Sequence, residues 1–545
     1  MKYTRSWIFL LIVLNTYLPG FNLKAQNPSI GNISGNFQLD GQYYQPDANI
    51  HALPVPQKVL SNSFFNLNYQ TEILSAGIRY ESYLDALKGY DQRNKGNGIA
   101  YRYLGFHKDG LEITAGNFYE QFGSGLTLRT YEDWSLGYDN SLDGIRAKYS
   151  PMKGIYLKGV IGRQRLFFDY GPGIVRGGDF EIHVSELHEG LSTMKTKYIL
   201  GGSFVSKYQA DADPIYKLPE NVGTFSGRLQ INRGNFSLRG EYAYKVNDPS
   251  TVNNYIYKEG QALLVSASYS KKGLGISLSA KRMDNMSFRS DRSSSGNVLM
   301  LNYLPALTKQ NTYQLANFYP YASQPNGEMG FQAELEYKIK AGSLLGGSNG
   351  TQLSIHLSGI NSIDTLSTNT EYGYHSDFLK VGKQTYYREL NILATRKLSK
   401  SLRLHLSYIY LIFNKDVIQG VPGFGIIHAQ TGIAEIKWQI NPRNSMRTEL
   451  QHMYTVKDKG SWAMGLIEYN VSPHYYINVF DNYNYGNAIK SDRLHYFSAS
   501  AGYTKNTNRI SLGYGRQREG ILCVGGICRN VPASNGFIIS ISSSF

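Results

Sequence analysis

Cysteine is almost absent: there are 2 in 545 residues, and neither lies near the N-terminus. That count excludes a disulfide-dense scaffold. Two thiols alone also cannot complete a zinc site, and no cysteine is placed to carry an N-terminal lipid anchor. Long apolar runs are missing as well. A transmembrane helix needs about 20 consecutive apolar residues, and none follows residue 26. Proline is sparse at 17 residues, whereas Tyr (44), Phe (24) and Gly (56) are abundant. Length alone suggests about three soluble domains, but this Tyr- and Gly-rich composition argues for a single β architecture.

The first residues decide the compartment. Lys2 and Arg5 precede an apolar run from Trp7 to Leu14, and a polar stretch ends at Leu23-Lys24-Ala25-Gln26. As a helix the run spans about 12 Å, far short of the roughly 30 Å hydrocarbon core. It reads as a secretory signal peptide over 1–25, with small Ala25 at the cleavage point, leaving 26–545 as the mature chain. The alternative is a buried N-terminal helix. N-terminal sequencing of the membrane-extracted protein is expected to begin at Gln26; a retained Met1 would sink this reading. A signal peptide then leaves two options, a secreted all-β protein or a barrel in an outer membrane.

Alternation favours the barrel. A spanning strand must satisfy its backbone through neighbours and turn apolar side chains to lipid, so it alternates apolar and polar over about ten residues. Phe225, Gly227, Leu229 and Ile231 oppose Ser226, Arg228 and Gln230. After Asn232-Arg233-Gly234 the pattern resumes with Phe236, Leu238, Gly240, Tyr242 and Tyr244. It recurs at 331–339, 402–410 and 446–454. The apolar face often ends in Tyr or Phe, as an interfacial girdle requires.

Turn lengths agree. Short polar turns at His107–Gly110, Ser150–Lys153, Asn232–Gly234, Lys271–Gly273, 399–400, Asn441–Arg443, Val471–Pro473 and Thr504–Thr507 alternate with longer segments. The latter include 44–62, 119–142, 163–177, 207–221, 283–329, 361–385 and 413–429. Short turns on one side and long loops on the other is the asymmetry of outer-membrane barrels. The fold class is therefore all-β, a single antiparallel barrel of about 24 strands (22–26). Val298–Tyr303 looks strand-like, but parity makes it part of one long outer loop.

Two local signals are sharper. Phe537, Ile539, Ile541, Ser543 and Phe545 alternate with Ile538, Ser540, Ser542 and Ser544, and the chain ends on Phe545. Phe537, Ile539, Ile541 and Phe545 thus read as an assembly signal for the barrel assembly machinery. In Cys523-Val524-Gly525-Gly526-Ile527-Cys528, the glycines suit a two-residue turn. Val524 pairs with Ile527, and Cys523 with Cys528 at a non-hydrogen-bonded pair close enough for a disulfide. The alternative is a reduced pair. Parity puts this hairpin at the outer end of the last two strands, projecting beyond the membrane.

Catalytic motifs are weak. The glycines of 123–125 follow a strand and open no helix, so a dinucleotide site fails its context. A tight loop is expected instead, with Glu120, Arg129, Glu132 and Asp139 paired inside the barrel mouth; the alternative is a solvated surface loop. His183 and His188 fall on opposite faces of a strand, which argues against a metal site. Asp211 with Asp213, and Asp91 with Asn94, match no calcium loop. No catalytic residue, metal or cofactor is assigned.

Residues 116–125 (Gly-Asn-Phe-Tyr-Glu-Gln-Phe-Gly-Ser-Gly), Leu128 to Glu132, Asp139-Asn140 and Arg516 to Gly520, together with the Cys hairpin, resemble an uncharacterised family of outer-membrane barrels from the Bacteroidota. The resemblance runs from about residue 30 to the terminus. It implies the fold and the location and carries no activity.

Cleavage removes Lys2, Arg5 and Lys24 and no acid, taking the formal charge from +15 to about +12, which suits lipopolysaccharide phosphates at the outer rim. The alternative is an excess spread over lumen and turns, and nucleic acid is not expected outside the cell envelope. Strand one starts near Ile33, leaving no room for an N-terminal plug, yet about 24 strands enclose a wide bore. The expected filler is the 283–329 loop, with Tyr303, Tyr313, Phe318, Tyr319 and Tyr321, helped by 119–142. Two non-enzymatic functions follow: a loop-occluded conduit, or a membrane subunit of an assembly or secretion complex with outer-membrane proteins or lipoproteins as partners. The alternative class is a barrel enzyme acting on lipopolysaccharide or surface peptides.

Overall fold

Each alternating segment pairs with the next one along the chain. In the computed structural model, which describes residues 31–545 except 526, 24 strands form one continuous antiparallel sheet. The expected signal peptide lies outside the described residues. The strand Asn32–Tyr44 pairs with Val59–Gln70 on one side and with the C-terminal strand Ser534–Ser544 on the other. The sheet thus closes on itself and leaves no edge unpaired, the condition for a sheet to cross a bilayer.

Register shows why period two produces this wall. Phe204, Phe225, Tyr244, Gln261 and Asp284 are successive partners across five strands and share the outer face. Phe225 on that row is 48% exposed. Offset from it, Arg228, Glu241, Leu264 and Lys281 are partners on the inner face. The outer surface is a belt of exposed Ile, Leu, Val, Phe and Tyr, while charged and polar groups line the lumen.

The C-terminal strand follows the same rule. Phe537 and Ile541 partner Tyr43 and Leu39, and Ile539 partners Gly41. The backbones of Phe545 and Gly35 exchange hydrogen bonds of 3.0 Å. Inside, Ser540 Oγ donates to Asp40 at 2.6 Å.

Short turns gather at one end, and each expected one lies there. Two segments expected as loops at the other end are strand instead. Ile155–Leu166 and Asp169–His183 run on to a two-residue turn, with a register shift between Tyr170 and Ile174. Thr351–Ser367 and Tyr374–Lys397 extend likewise beyond the regular ladder. In these extensions the chain is paired without apolar alternation, so they carry no sequence signature of strand. The second hairpin bends down over the outer wall and covers Arg282 and Asp284. Tyr374 Oη donates to Asp284 at 2.7 Å, and Arg282 stacks 4.7 Å from the Phe378 ring.

Residues 285–326 connect Leu274–Asp284 to Gly327–Ile339 and turn into the lumen. Phe288 and Leu301 pack with Phe118, Leu142, Val175 and Val205 on one side of the wall. Leu315, Tyr319 and Tyr321 pack with Phe413, Ile427, Met453 and Trp462 on the other. A single loop therefore bridges two walls. The 298–303 stretch forms no strand; only an isolated bridge joins Arg289 to Met300. Contact with the wall is close: a Cβ at Gly173 would lie 2.0 Å from the Ser290 carbonyl oxygen.

Candidate functional site

The outer mouth is built from four pieces: the plug 285–326, the loop 119–141, the loop 84–95 and the cysteine hairpin. The plug and the loop 119–141 interlock through their backbones. Arg129 N–H donates to Leu301 O (2.8 Å), and Tyr303 N–H to Gly125 O (2.9 Å). Asn140 and Gln164 side chains both donate to Met300 O, at 2.9 and 2.7 Å. The glycine-rich turn 123–125 carries no phosphate-cradle geometry. The Glu241 carboxylate already accepts from Ser124 N–H at 2.7 Å.

Arg518 clamps the far side of the plug. Its guanidinium lies 3.4 Å from the Phe318 ring centroid. Burial lowers its pKa to about 10, which leaves it charged at neutral pH. Sequence reading singled out the motif around Arg518 but not this role, since a cation over a ring leaves no spacing signal.

The four residues expected to pair with one another do not. Glu132 and Asp139, on the small hairpin Glu132–Asp133/Tyr138–Asp139, both meet Arg79 from the wall. Arg79 also pairs with Glu81 at 2.7 Å; Arg165 reaches Glu81 and Asp139, each at 2.6 Å. Tyr119 Oη donates to Glu132 and Asp139 at 3.1 and 3.0 Å. Burial alone would raise the Asp139 carboxyl, but Arg165 and Arg79 hold it below the ordinary carboxylate range. Glu120 sits apart, on Lys158 (2.9 Å) and Lys148 (3.3 Å). Among the described residues Arg129 takes no acid: it lies 4.0 and 4.7 Å from the Tyr303 and Tyr131 ring centroids. The expectation failed because the acids find their cations on wall strands, while Arg129 is taken up by aromatic rings of its own loop and of the plug.

Cys523 and Cys528 are disulfide-bonded, in the register expected. The hairpin that carries them lies at the outer end of the last two strands, as expected, but is turned inward. It is a separate two-stranded sheet, Gly520–Val524 with Ile527–Val531, folded across the mouth. Asn297 Nδ2 donates to the Cys528 carbonyl, and Gly525, at φ +59°, lies against the Tyr303 hydroxyl. Arg529 stacks 4.4 Å from the Tyr90 ring. Buried Ile527 and Val531 account for the inward fold.

Under this roof lies a cavity of about 690 Å³. Its walls include Arg79, Glu81, Tyr90, Trp134, Asp139 and Arg529. A second cavity, of about 420 Å³, lies against Asn36, Gln38, Asn66, Asn68 and Ser542, on the lumen side of the closing strands. Glu132 and Trp134 line both. The plug's apolar clusters engage the other strands and leave this stretch of wall free of them.

The remaining candidates have ordinary roles. His183 pairs with Glu181 and Glu186, and His188 caps the short helix Glu189–Ser192. Asp211 and Asp213 accept backbone N–H groups of their own loop. Asp91 caps the turn Gln92–Asn94. Among the described residues, no group of three or more His, Cys, Asp or Glu is arranged to hold a metal ion.

Fold and interior together define a closed 24-stranded antiparallel β-barrel stoppered by its own loop. The chain belongs to DUF6029, a family of unknown function whose profile matches residues 1–545. Several solved barrels are similar in outline. A ferric enterobactin receptor (PfeA) of Pseudomonas aeruginosa in complex with enterobactin matches at 14% identity and TM-score 0.41, covering 94% of this chain and 81% of that one. The P pilus usher (PapC) translocation pore matches at 10% and 0.44, covering 94% and 99%. The outer membrane protein OpdK of Pseudomonas aeruginosa matches at 8% and 0.33, covering 94% and 98%. No curated protein matches in sequence.

Proposed function

We propose that the protein is a loop-occluded conduit of a bacterial outer membrane, of the Bacteroidota kind that its motifs resemble, passing small polar solutes. The apolar outer belt, the short-turn and long-loop asymmetry and the terminal aromatic strand support that membrane. They also support assembly there by the barrel machinery through Phe537, Ile539, Ile541 and Phe545.

The single observation that carries the conduit is the pair of cavities meeting at Glu132 and Trp134. Solute enters beneath the cysteine hairpin, passes the Glu132–Asp139 hairpin, and descends along Asn36, Gln38, Asn66 and Asn68. Amide and hydroxyl groups on that lower wall suit an uncharged, hydroxylated solute. Arg79 holds the intervening hairpin shut.

Proteoliposome swelling in a small sugar tests the path. Trp134→Ala is expected to speed swelling several-fold over wild type. Equal rates for wild type, Trp134→Ala and an Arg79→Ala variant would overturn it.

A docking role has one observation in its favour. Leu53, Ile215 and Val456 on outer loops are 73%, 82% and 82% exposed. Native purification yielding a lone monomer counts against that role. The enzyme alternative has less support: His183, His405, His428, His452 and His495 pair with Glu, Thr, Tyr, Tyr and Asp, and none of these pairs includes a serine nucleophile.

A further inference from the structure

The outer face of a barrel strand should be apolar, and three arginines break that rule on one side of the wall. Arg102 on Gly96–Lys108, Arg163 on Ile155–Leu166 and Arg176 on Asp169–His183 are all exposed. Register fixes their face. They partner Ile78, Ile174 and Ile161, which are exposed by 43%, 38% and 47%. Arg163 and Arg176 are diagonal neighbours on adjacent strands, within side-chain reach of each other.

Each guanidinium is held in place. Arg102 Nη1 donates to Tyr170 Oη at 3.1 Å and to Asn117 Oδ1 at 3.3 Å. Arg163 Nε donates to Gly171 O at 3.0 Å, and Arg176 Nη2 to Asn221 Oδ1 at 2.8 Å. Asp143, the register partner of Arg163, is the carboxylate among them, and Arg102 takes it at 3.1 Å. Asp169, at the hairpin tip, accepts from the N–H of Tyr170. Three cations around one carboxylate leave two charges without a counter-ion.

The patch begins where the aliphatic belt ends. Toward the short turns the same face shows Leu104, Ile113 and Leu157. Arg176 partners Ser206, two residues from exposed Phe204 on the aromatic row. Arg102, lying deeper, reaches upward to Asp143 and Tyr170, as a snorkelling side chain does. An anion placed outside the wall at this level is a headgroup of the outer leaflet. Guanidinium forks match phosphate oxygens in pairs and hold them strongly at the edge of a low-dielectric phase.

We propose that Arg102, Arg163 and Arg176 form a seat for the phosphate of a phosphorylated outer-leaflet glycolipid, whose acyl chains lie along Leu104, Ile145 and Ile161. This rests on the outer-membrane placement above and is independent of any conduit.

The test uses the full mature barrel in detergent and native mass spectrometry with two probes, diphosphoryl lipid A and the same lipid A dephosphorylated. Wild type is expected to retain the phosphorylated form preferentially. Arg102→Gln/Arg163→Gln/Arg176→Gln is expected to lose that preference, with affinity down about tenfold or more. Asp143→Asn is expected to bind more tightly than wild type. Heat-modifiable gel migration reports whether each variant is folded, and the two-probe comparison on wild type stands even if the triple variant is not. Equal binding of both lipids by wild type, unchanged binding by a folded triple variant, or displacement of lipid A by low-millimolar inorganic phosphate would each overturn the proposal. Cell fractionation tests the membrane placement separately.

Discussion

Replacing residues 286–325 with a short Gly-Ser linker is expected to turn a nearly silent barrel into a large, steadily open pore. Planar-bilayer conductance should rise by at least about tenfold, because a barrel of this strand number encloses an aqueous bore once nothing fills it. The wall itself should survive the deletion. Leu274–Asp284 is paired along its whole length, from Tyr337 opposite Leu274 to Gly327 opposite Asp284, so a hairpin linker can join the two strands. What disappears is the apolar bridge from Phe288 and Leu301 to Leu315 and Tyr319. Silence from both wild type and the deletion, with folded barrels in the bilayer, would end the conduit reading.

Arg79→Ala should have the second largest effect. The Arg79 side chain is 6% exposed and faces Glu81, Glu132 and Asp139. Removing it leaves three carboxylates with Arg165 as their close cation, and breaking one side of such a buried array costs about 3–5 kcal/mol. The cost should fall on the Glu132–Asp139 hairpin rather than on the wall, so hydrogen exchange of 130–140 should rise sharply while strand amides stay protected. pH gives the sign. In the wild type Asp139 is held below its usual range, so its contribution is present above about pH 4 and fades as pH falls through the depressed value. In the variant the carboxylates repel, so mild acid should restore protection of the hairpin. Unchanged exchange at neutral pH would show that Arg79 does not hold it.

The wall was legible because a closed sheet with an apolar outer face imposes a rule on every second residue. Phe225 through Tyr244 and Phe331 through Ile339 announce both strand and face. The filler was legible by exclusion, since parity forbids a crossing at 298–303. The mouth was not. Arg79 and Arg165 come from wall strands far from Glu132 and Asp139 in sequence, and no spacing links them. Arg129 was expected to find an acid and found two tyrosine rings instead. The cysteine hairpin was legible in its register and in the end of the barrel it occupies, but not in its inward fold, which depends on Ile527, Val531 and the Asn297 contact. The outward Arg163 and Arg176 were hidden because 163–177 was expected as a loop, so neither had a strand face to be read from.

The stopper of this barrel is spliced into the wall at both ends, between two neighbouring staves. About 40 linked residues have a contour length of roughly 140 Å, ample slack for a swing but no freedom to depart. Such a stopper cannot be pulled out and lost, nor does it need to find its way back. Any excursion of such a tethered segment would be unimolecular, with a return rate independent of how many copies the cell contains.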